Sequence, residues 1–377
     1  MNRNKKNVKN ILKIILPFII GALLGFIIVL VSGRFSGTEA SAVSTPFIIF
    51  VSVVLGFILH IVLHEAGHLI AGLLSGYKFV SFSVGSLMII KQNGKMKFKR
   101  FAIAGAGGQC LMSPPEPIGY AYPFTFYYLG GGLANLLTSG VFIAHYLLIN
   151  DIFIYAGNIF IPIVALGILT CLMNLLPLKI SGLATDGHNV VSLIKNKRAR
   201  QAHWILLTIN ARIASGGKAK DLPEEWFDFS GDYDFSNAIL ANIATMGLAR
   251  LIDIHDFCAA KKLAEKILEK GGKLIELLKN ETRCELLFLV IIHQPSQGRA
   301  DEIERLFTPE LEKYIKASKT QLSKHRLMYA YNKLVLYDID KSEKALAAFN
   351  KICLTYPYTG DRESEKELIG IIDSLAT

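Results

Sequence analysis

The chain has 377 residues, 51% of them hydrophobic and 19% charged, with a mean hydropathy of +0.38. That average is too apolar for an ordinary soluble enzyme, and a formal net charge of +10 on so apolar a chain points to a membrane protein with basic cytoplasmic segments. Nucleic-acid binding is set aside, because no aromatic-basic recognition motif accompanies the lysines and arginines.

Four apolar segments reach the ~20 residues a helix needs to cross a bilayer core. They are about Ile11–Ser32, about Pro46–Leu74, about Phe124–Ile149 and about Ile152–Leu178. The first is read as a retained anchor, since its apolar run exceeds a signal-peptide core and no small-residue cleavage site follows. Arg3, Lys5, Lys6, Lys9 and Lys13 precede it. Lys91, Lys95, Lys97, Lys99 and Arg100 lie between the second and third segments, and Lys195, Lys197, Arg198 and Arg200 follow the fourth. The short connections near residues 33–45 and at Asn150-Asp151 carry little base. This bias predicts a multi-pass protein of the cell membrane with both termini in the cytoplasm.

The second segment contains HIVLHEAGHLIAG, residues 60–72. Ionisable side chains inside an apolar span are costly and mark function by default. His64 and His68 are four residues apart, so a helix presents both imidazoles on one face, one turn apart, where both can bind one metal. Glu65 adjoins them, and in an HExxH arrangement it is the general base for an attacking water. Zinc suits imidazole and carboxylate ligands and keeps an open position for water. By charge bias this motif lies toward the cytoplasmic end of its span. His60, one turn before His64, is a minor ligand candidate; a polar residue in a wet cleft is the simpler account.

Residues 76–123 do not read as a membrane helix. Two strands flank Asn93-Gly94, the strongest short hairpin signal. Met96 and Phe98 alternate with Lys95, Lys97 and Lys99, which predicts one apolar and one basic face. An edge strand there is a candidate to pair with an unwound substrate, or simply to seal the cytoplasmic mouth. AGAGGQ, residues 104–109, lacks the features of a phosphate loop and is read as a flexible loop.

In the third segment, GGGLAN spans Gly130 to Asn135. The glycines permit close helix approach. Asn135 is a candidate substrate or oxyanion contact, with interhelical hydrogen bonding as the equal alternative. After the fourth segment comes NLLPLKISGLATDGHNV, residues 174–190. Asp186, followed by Gly187, is the candidate third zinc ligand. Its other reading is the N-cap of a helix starting near Asn189. His188 is a minor alternative ligand, and Asn174 a candidate substrate contact.

These residues resemble the M50 family of intramembrane zinc metalloproteases, the site-2 proteases. That family joins a membrane-embedded HExxH to a later Asp-Gly in an N-x-x-P…D-G context. The matching positions here are His64, Glu65, His68, Asn174, Pro177, Asp186 and Gly187, with Gly130–Asn135 similar to the family's small-residue motif. The stretch from Asn174 to Asp186 is longer than the family's compact form, and His188 stands where a second glycine is usual. The resemblance spans roughly residues 46–195. It implies zinc bound by His64, His68 and Asp186, catalysis by Glu65, and hydrolysis of peptide bonds in membrane-spanning or membrane-inserted substrates near the cytoplasmic face. The alternative is a catalytically inactive membrane scaffold. A metal transporter ranks last, because a single ligand cluster makes no path.

From about Ala199 long apolar runs give way to helical periodicity with charged faces. Asn237–Lys270 and Lys324–Tyr356 each read as two helices, similar to tetratricopeptide-type hairpins that could hold a protein partner. Five scattered cysteines form neither a disulfide framework nor a thiolate zinc site. The expected fold is therefore mainly α. Residues 1–45 are a cytoplasmic tail and anchor, 46–195 a helical membrane core with a β-hairpin insertion, and 196–377 a cytoplasmic helical domain.

Overall fold

The computed structural model describes residues 44–101, 107–119, 121–149, 156–180, 183–228, 235, 237–272, 274–293 and 298–376. The first apolar segment, about residues 11–32, lies outside them. The described residues divide into two compact units, those within 44–71 and 124–190, and those within 72–123 and 191–376.

Helix α1 runs Ser44–Leu74, α2 Phe124–Ile149 and α3 Ala156–Leu175. Among the described residues, three helices are long and apolar enough to cross a membrane: Thr45–Leu74, Phe124–Leu148 and Ala156–Leu175. Large apolar side chains stand outward along them, including Phe47, Phe50 and Leu55 on α1 and Leu137, Val141 and Leu148 on α2. In water such a surface would be a liability; in lipid it is the solvated face. The polar residues turn inward instead, with His60 and Asn135 fully buried.

Two glycines let α1 and α2 touch. A Cβ on Gly67 would strike the Gly130 carbonyl and lie 2.6 Å from Ala134 Cβ, and a Cβ on Gly130 would lie 2.5 Å from the Gly67 carbonyl oxygen. This is backbone-on-backbone packing of the kind small residues allow between membrane helices.

In the second unit, strands β1 (Lys78–Val84), β2 (Leu87–Gln92), β3 (Lys95–Arg100) and β4 (Gly108–Ser113) form an antiparallel sheet in the order β3-β2-β1-β4. Asn93 and Gly94 both adopt positive φ, 49° and 76°, as the two-residue hairpin turn requires. The predicted alternation in β3 is present, but its apolar row faces away from the core. Met96 and Phe98 are exposed beside Leu87, whereas the lysine row shares its face with the buried Met88 and Ile90 of β2. β3 is an edge strand, and long lysine stems can cover a core margin while their ammonium groups stay wet. The described part of AGAGGQ enters β4.

Helix α4 (Asp186–Lys195) is followed by α5 (Lys197–Ala214), which packs Ala211 and Ala214 against Val80, Met88, Ile90 and Leu111 of the sheet. Gln92 Nε2 donates to the carbonyls of Ala214 at 3.2 Å and Pro357 at 2.6 Å. Burial holds the His203 imidazole down to about 4, and its Nδ1 shares a 2.6 Å hydrogen bond with Tyr122 OH.

The remaining helices are α6 (Ala238–Asp253), α7 (Phe257–Lys270), α8 (Glu276–Ile292), α9 (Arg299–Leu306), α10 (Pro309–Ala317), α11 (Leu322–Leu334), α12 (Ile339–Cys353) and α13 (Thr359–Leu375). Every residue from Leu286 to Ile292 on α8 is buried, which makes it the central helix of this core. The two expected helix pairs, α6/α7 and α11/α12, share one turning device. A left-handed non-glycine residue, His255 (φ 63°) or Tyr337 (φ 53°), precedes an aspartate N-cap. Asp256 accepts from Ala259 N and Asp338 from Lys341 N, each at 2.9 Å. Each cap is worth about 1 kcal/mol.

Candidate metal centre

His64 and His68 project from one face of α1, as their spacing dictates. The third group arrives from the end of α3. There the chain makes a small antiparallel ladder, β5 (Lys179–Ile180) with β6 (Leu183–Ala184). Thr185 Oγ1 ties its base to the preceding turn, donating to Leu176 O at 2.6 Å and accepting from Leu178 N at 3.1 Å. This ladder lies between Asn174 and Asp186. Helix α4 then starts at Asp186, earlier than the expected start near Asn189. The residue before it, Thr185, accepts the backbone N–H of His188 at 3.3 Å. The N-cap role therefore belongs to Thr185, and the Asp186 carboxylate is left for the site.

Asp186 Oδ2 lies 3.2 Å from His64 Nε2 and 3.3 Å from His68 Nε2, and the two imidazole nitrogens are 3.1 Å apart. Ligands held 2.0–2.1 Å from a tetrahedral ion lie about 3.3 Å apart. The triangle thus fits a zinc ion with an open fourth position. Asp186 Oδ2 is buried without a hydrogen-bond partner, as a metal-directed oxygen would be. Burial alone would raise the Asp186 carboxyl, but the two imidazoles outweigh it and hold it down at about 2, in the anionic form a ligand needs. Among the described residues, His64, His68 and Asp186 are the set of histidines, cysteines and carboxylates grouped closely enough to hold one ion.

Groups behind the ligands orient them, and one fixes a tautomer. His68 Nδ1 donates to the Tyr127 carbonyl at 2.8 Å, which leaves its Nε2 lone pair free. His60 Nε2 donates to the Ile163 carbonyl at 2.9 Å. The Asn135 amide bridges His60 Nδ1 at 3.2 Å and His64 Nδ1 at 3.3 Å. Asn135 Oδ1 faces the His60 nitrogen and its Nδ2 faces the His64 nitrogen; the same amide turned by half a rotation would accept the Nδ1 proton of His64 and leave Nε2 bare for a metal.

The expected residues sort accordingly. His64, His68 and Asp186 converge, with Glu65 buried on the next position of α1. His60 is engaged by Ile163 and Asn135 rather than by the ligand triangle. Asn135 is engaged by the two imidazoles. Asn174 Nδ2 donates to Thr170 O at 2.9 Å along its own helix. His188 lies outside the triangle, its Nδ1 buried without a hydrogen-bond partner.

Sequence reading missed the Tyr127 carbonyl and the individual role of Gly131. The signal was available, since Tyr127 stands one helical turn before Gly131. A Cβ on Gly131 would lie 2.6 Å from both His64 Cε1 and His68 Nε2. Gly131→Ala is expected to weaken metal binding by this triad about 10–100-fold, as displaced supporting groups do. Gly140→Ala, on the same helix with open space at its Cβ, should leave affinity unchanged in a chelator-competition titration.

No family model, curated protein or solved structure matches this chain.

Proposed function

We propose that the chain is a zinc-dependent intramembrane endopeptidase of the M50, site-2 protease kind. The observation that carries this reading is the convergence of His64, His68 and Asp186 at 3.1–3.3 Å, with Glu65 adjacent, on a helix apolar enough to span a membrane. Soluble structural zinc sites do not need such a setting; hydrolysis of a bilayer-embedded bond does.

Zinc bound there would supply Lewis acidity to the scissile carbonyl and to the attacking water. Glu65 takes the proton from that water and passes it to the departing amine. The Tyr127 carbonyl holds His68 in the ligating tautomer, and Asn135 orients His64. Asp186 offers its charge without a competing proton. The apolar helices exclude bulk water, so charge developed on the substrate meets a low dielectric. The distribution of lysine and arginine favours cytoplasmic termini and a cut near the cytoplasmic face.

The test is reconstitution with a panel of transmembrane peptides in lipid vesicles. Cleavage should stop with a zinc chelator, return with added zinc, and fall near the cytoplasmic end of the peptide by mass spectrometry. A zinc-loaded protein that binds the peptides and leaves them all intact would favour the scaffold alternative.

A further inference from the structure

The C-terminal helices enclose a cavity of about 330 Å³ that the protease reading does not use. Its wall carries five carboxylates, Asp253 on α6, Glu281 and Glu285 on α8, and Asp361 and Glu365 on α13, with one cation, Arg326 on α11. Nearby cations meet only part of this charge. Lys324 Nζ donates to Glu281 Oε2 at 2.7 Å, and Arg326 Nη2 to Glu285 Oε2 at 2.5 Å. Arg326 Nε lies 2.9 Å from Glu365 Oε2. Two cations therefore face five carboxylates. Among the described residues, no cation pairs with Asp253 or Asp361.

Part of the unmet charge is also buried. Asp253 is 5% exposed; its Oδ2 accepts from Lys220 N at 2.8 Å, while its Oδ1 has no hydrogen-bond partner. Burial, Glu365 and Asp253 together push the Asp361 carboxyl up to about 7, and burial chiefly pushes Glu365 to about 7 as well. A core that only needed stability would replace such groups with apolar ones.

We propose that this cavity binds a small organic cation, an alkylammonium or guanidinium group on a short aliphatic body, with Asp253, Asp361 and Glu365 receiving its N–H donors. A metal ion is a poor occupant. These carboxylates do not gather within 4.8 Å of one another as the His64–His68–Asp186 set does, and a single divalent ion bonds oxygens at only ~2.0–2.6 Å. A cation with several spread N–H groups can reach carboxylates on two helices at once. Leu248, Ile252 and Leu368 supply apolar wall for its carbon chain. The volume falls in the ~300–1,000 Å³ range of small-molecule sites.

The same chemistry could come as a free amine or as the basic side chain of a peptide, and the test separates them. Full-length protein in detergent is titrated calorimetrically with agmatine, with 1,5-diaminopentane, and with lysine blocked at both termini as a peptide mimic. Glutarate serves as the anionic control. At least one cationic probe should bind, and Asp253→Asn and Asp361→Asn should each weaken it at least tenfold. Asp361→Asn removes a half-buried carboxyl that no cation pairs and so should remain folded, which its thermal transition will verify. Binding of the free amines alone, or of blocked lysine alone, identifies the source and supports the site either way. Binding of glutarate in place of the cations, cation binding indifferent to both substitutions, or no binding by any cationic probe overturns the proposal.

Discussion

Glu65→Gln is expected to keep zinc at the wild-type level and lose peptide cleavage by at least about a hundredfold, within the ~10²–10⁴ range that a positioned general base contributes. The amide is nearly isosteric with the carboxylate and remains on the same turn of α1. The His64–His68–Asp186 triangle does not depend on it. What disappears is the acceptor for the proton of the attacking water. The pairing of two readouts matters, because zinc retained with cleavage lost isolates a chemical role from a structural one. Full cleavage by this variant would remove Glu65 from the mechanism. A cell-based assay adds a second discrimination: full function of the variant in cells would mean that the protein acts by binding alone.

Asp186→Ala should reduce zinc from about one ion per chain to near none in protein purified with metal present, and His64→Ala should do the same. Losing either ligand leaves two donors in a site of low dielectric, where the remaining charge is poorly shared. His188→Ala is the informative companion, since His188 is a near neighbour in sequence and lies outside the triangle. It should retain zinc. Elemental analysis of the purified variants decides the matter. Zinc surviving in Asp186→Ala and vanishing in His188→Ala would reassign the third ligand.

The histidine pair was legible because two simple facts coincide in it. An i, i+4 spacing defines one helix face, and an apolar run makes each polar residue conspicuous. The Asn-Gly hairpin was legible for a similar reason, as few sequences satisfy two consecutive left-handed residues. Asp186 was harder. Nothing local separates a ligand from a helix cap, and only the fold shows that Thr185 takes the capping role. Asn135 could be placed near the site, but its bridging of His60 and His64 depends on the crossing of α1 and α2, which the sequence does not encode locally. The β3 alternation was read correctly as a period of two and gave no hint that lysines would share a face with the core. The turning device common to α6/α7 and α11/α12 escaped notice because His255 and Tyr337 are unrelated residues in the same backbone conformation. The acidic cavity was invisible for the plainest reason: Asp253, Glu281, Glu285, Asp361 and Glu365 sit on separate helices, and in the sequence each looks like an ordinary surface charge.

The order of the ligands along the chain has a consequence for biogenesis. On the proposed function His64 and His68 would enter the membrane with α1, whereas Asp186 follows the last of the described apolar helices. During synthesis the first two ligands are inserted while the third has yet to be made. A metal that needs all three cannot be held firmly until α2 and α3 have been threaded and the β5–β6 ladder has closed. On the proposed function the emerging chain would be inert by construction, and proteolytic competence would arrive only with completion of its own membrane assembly.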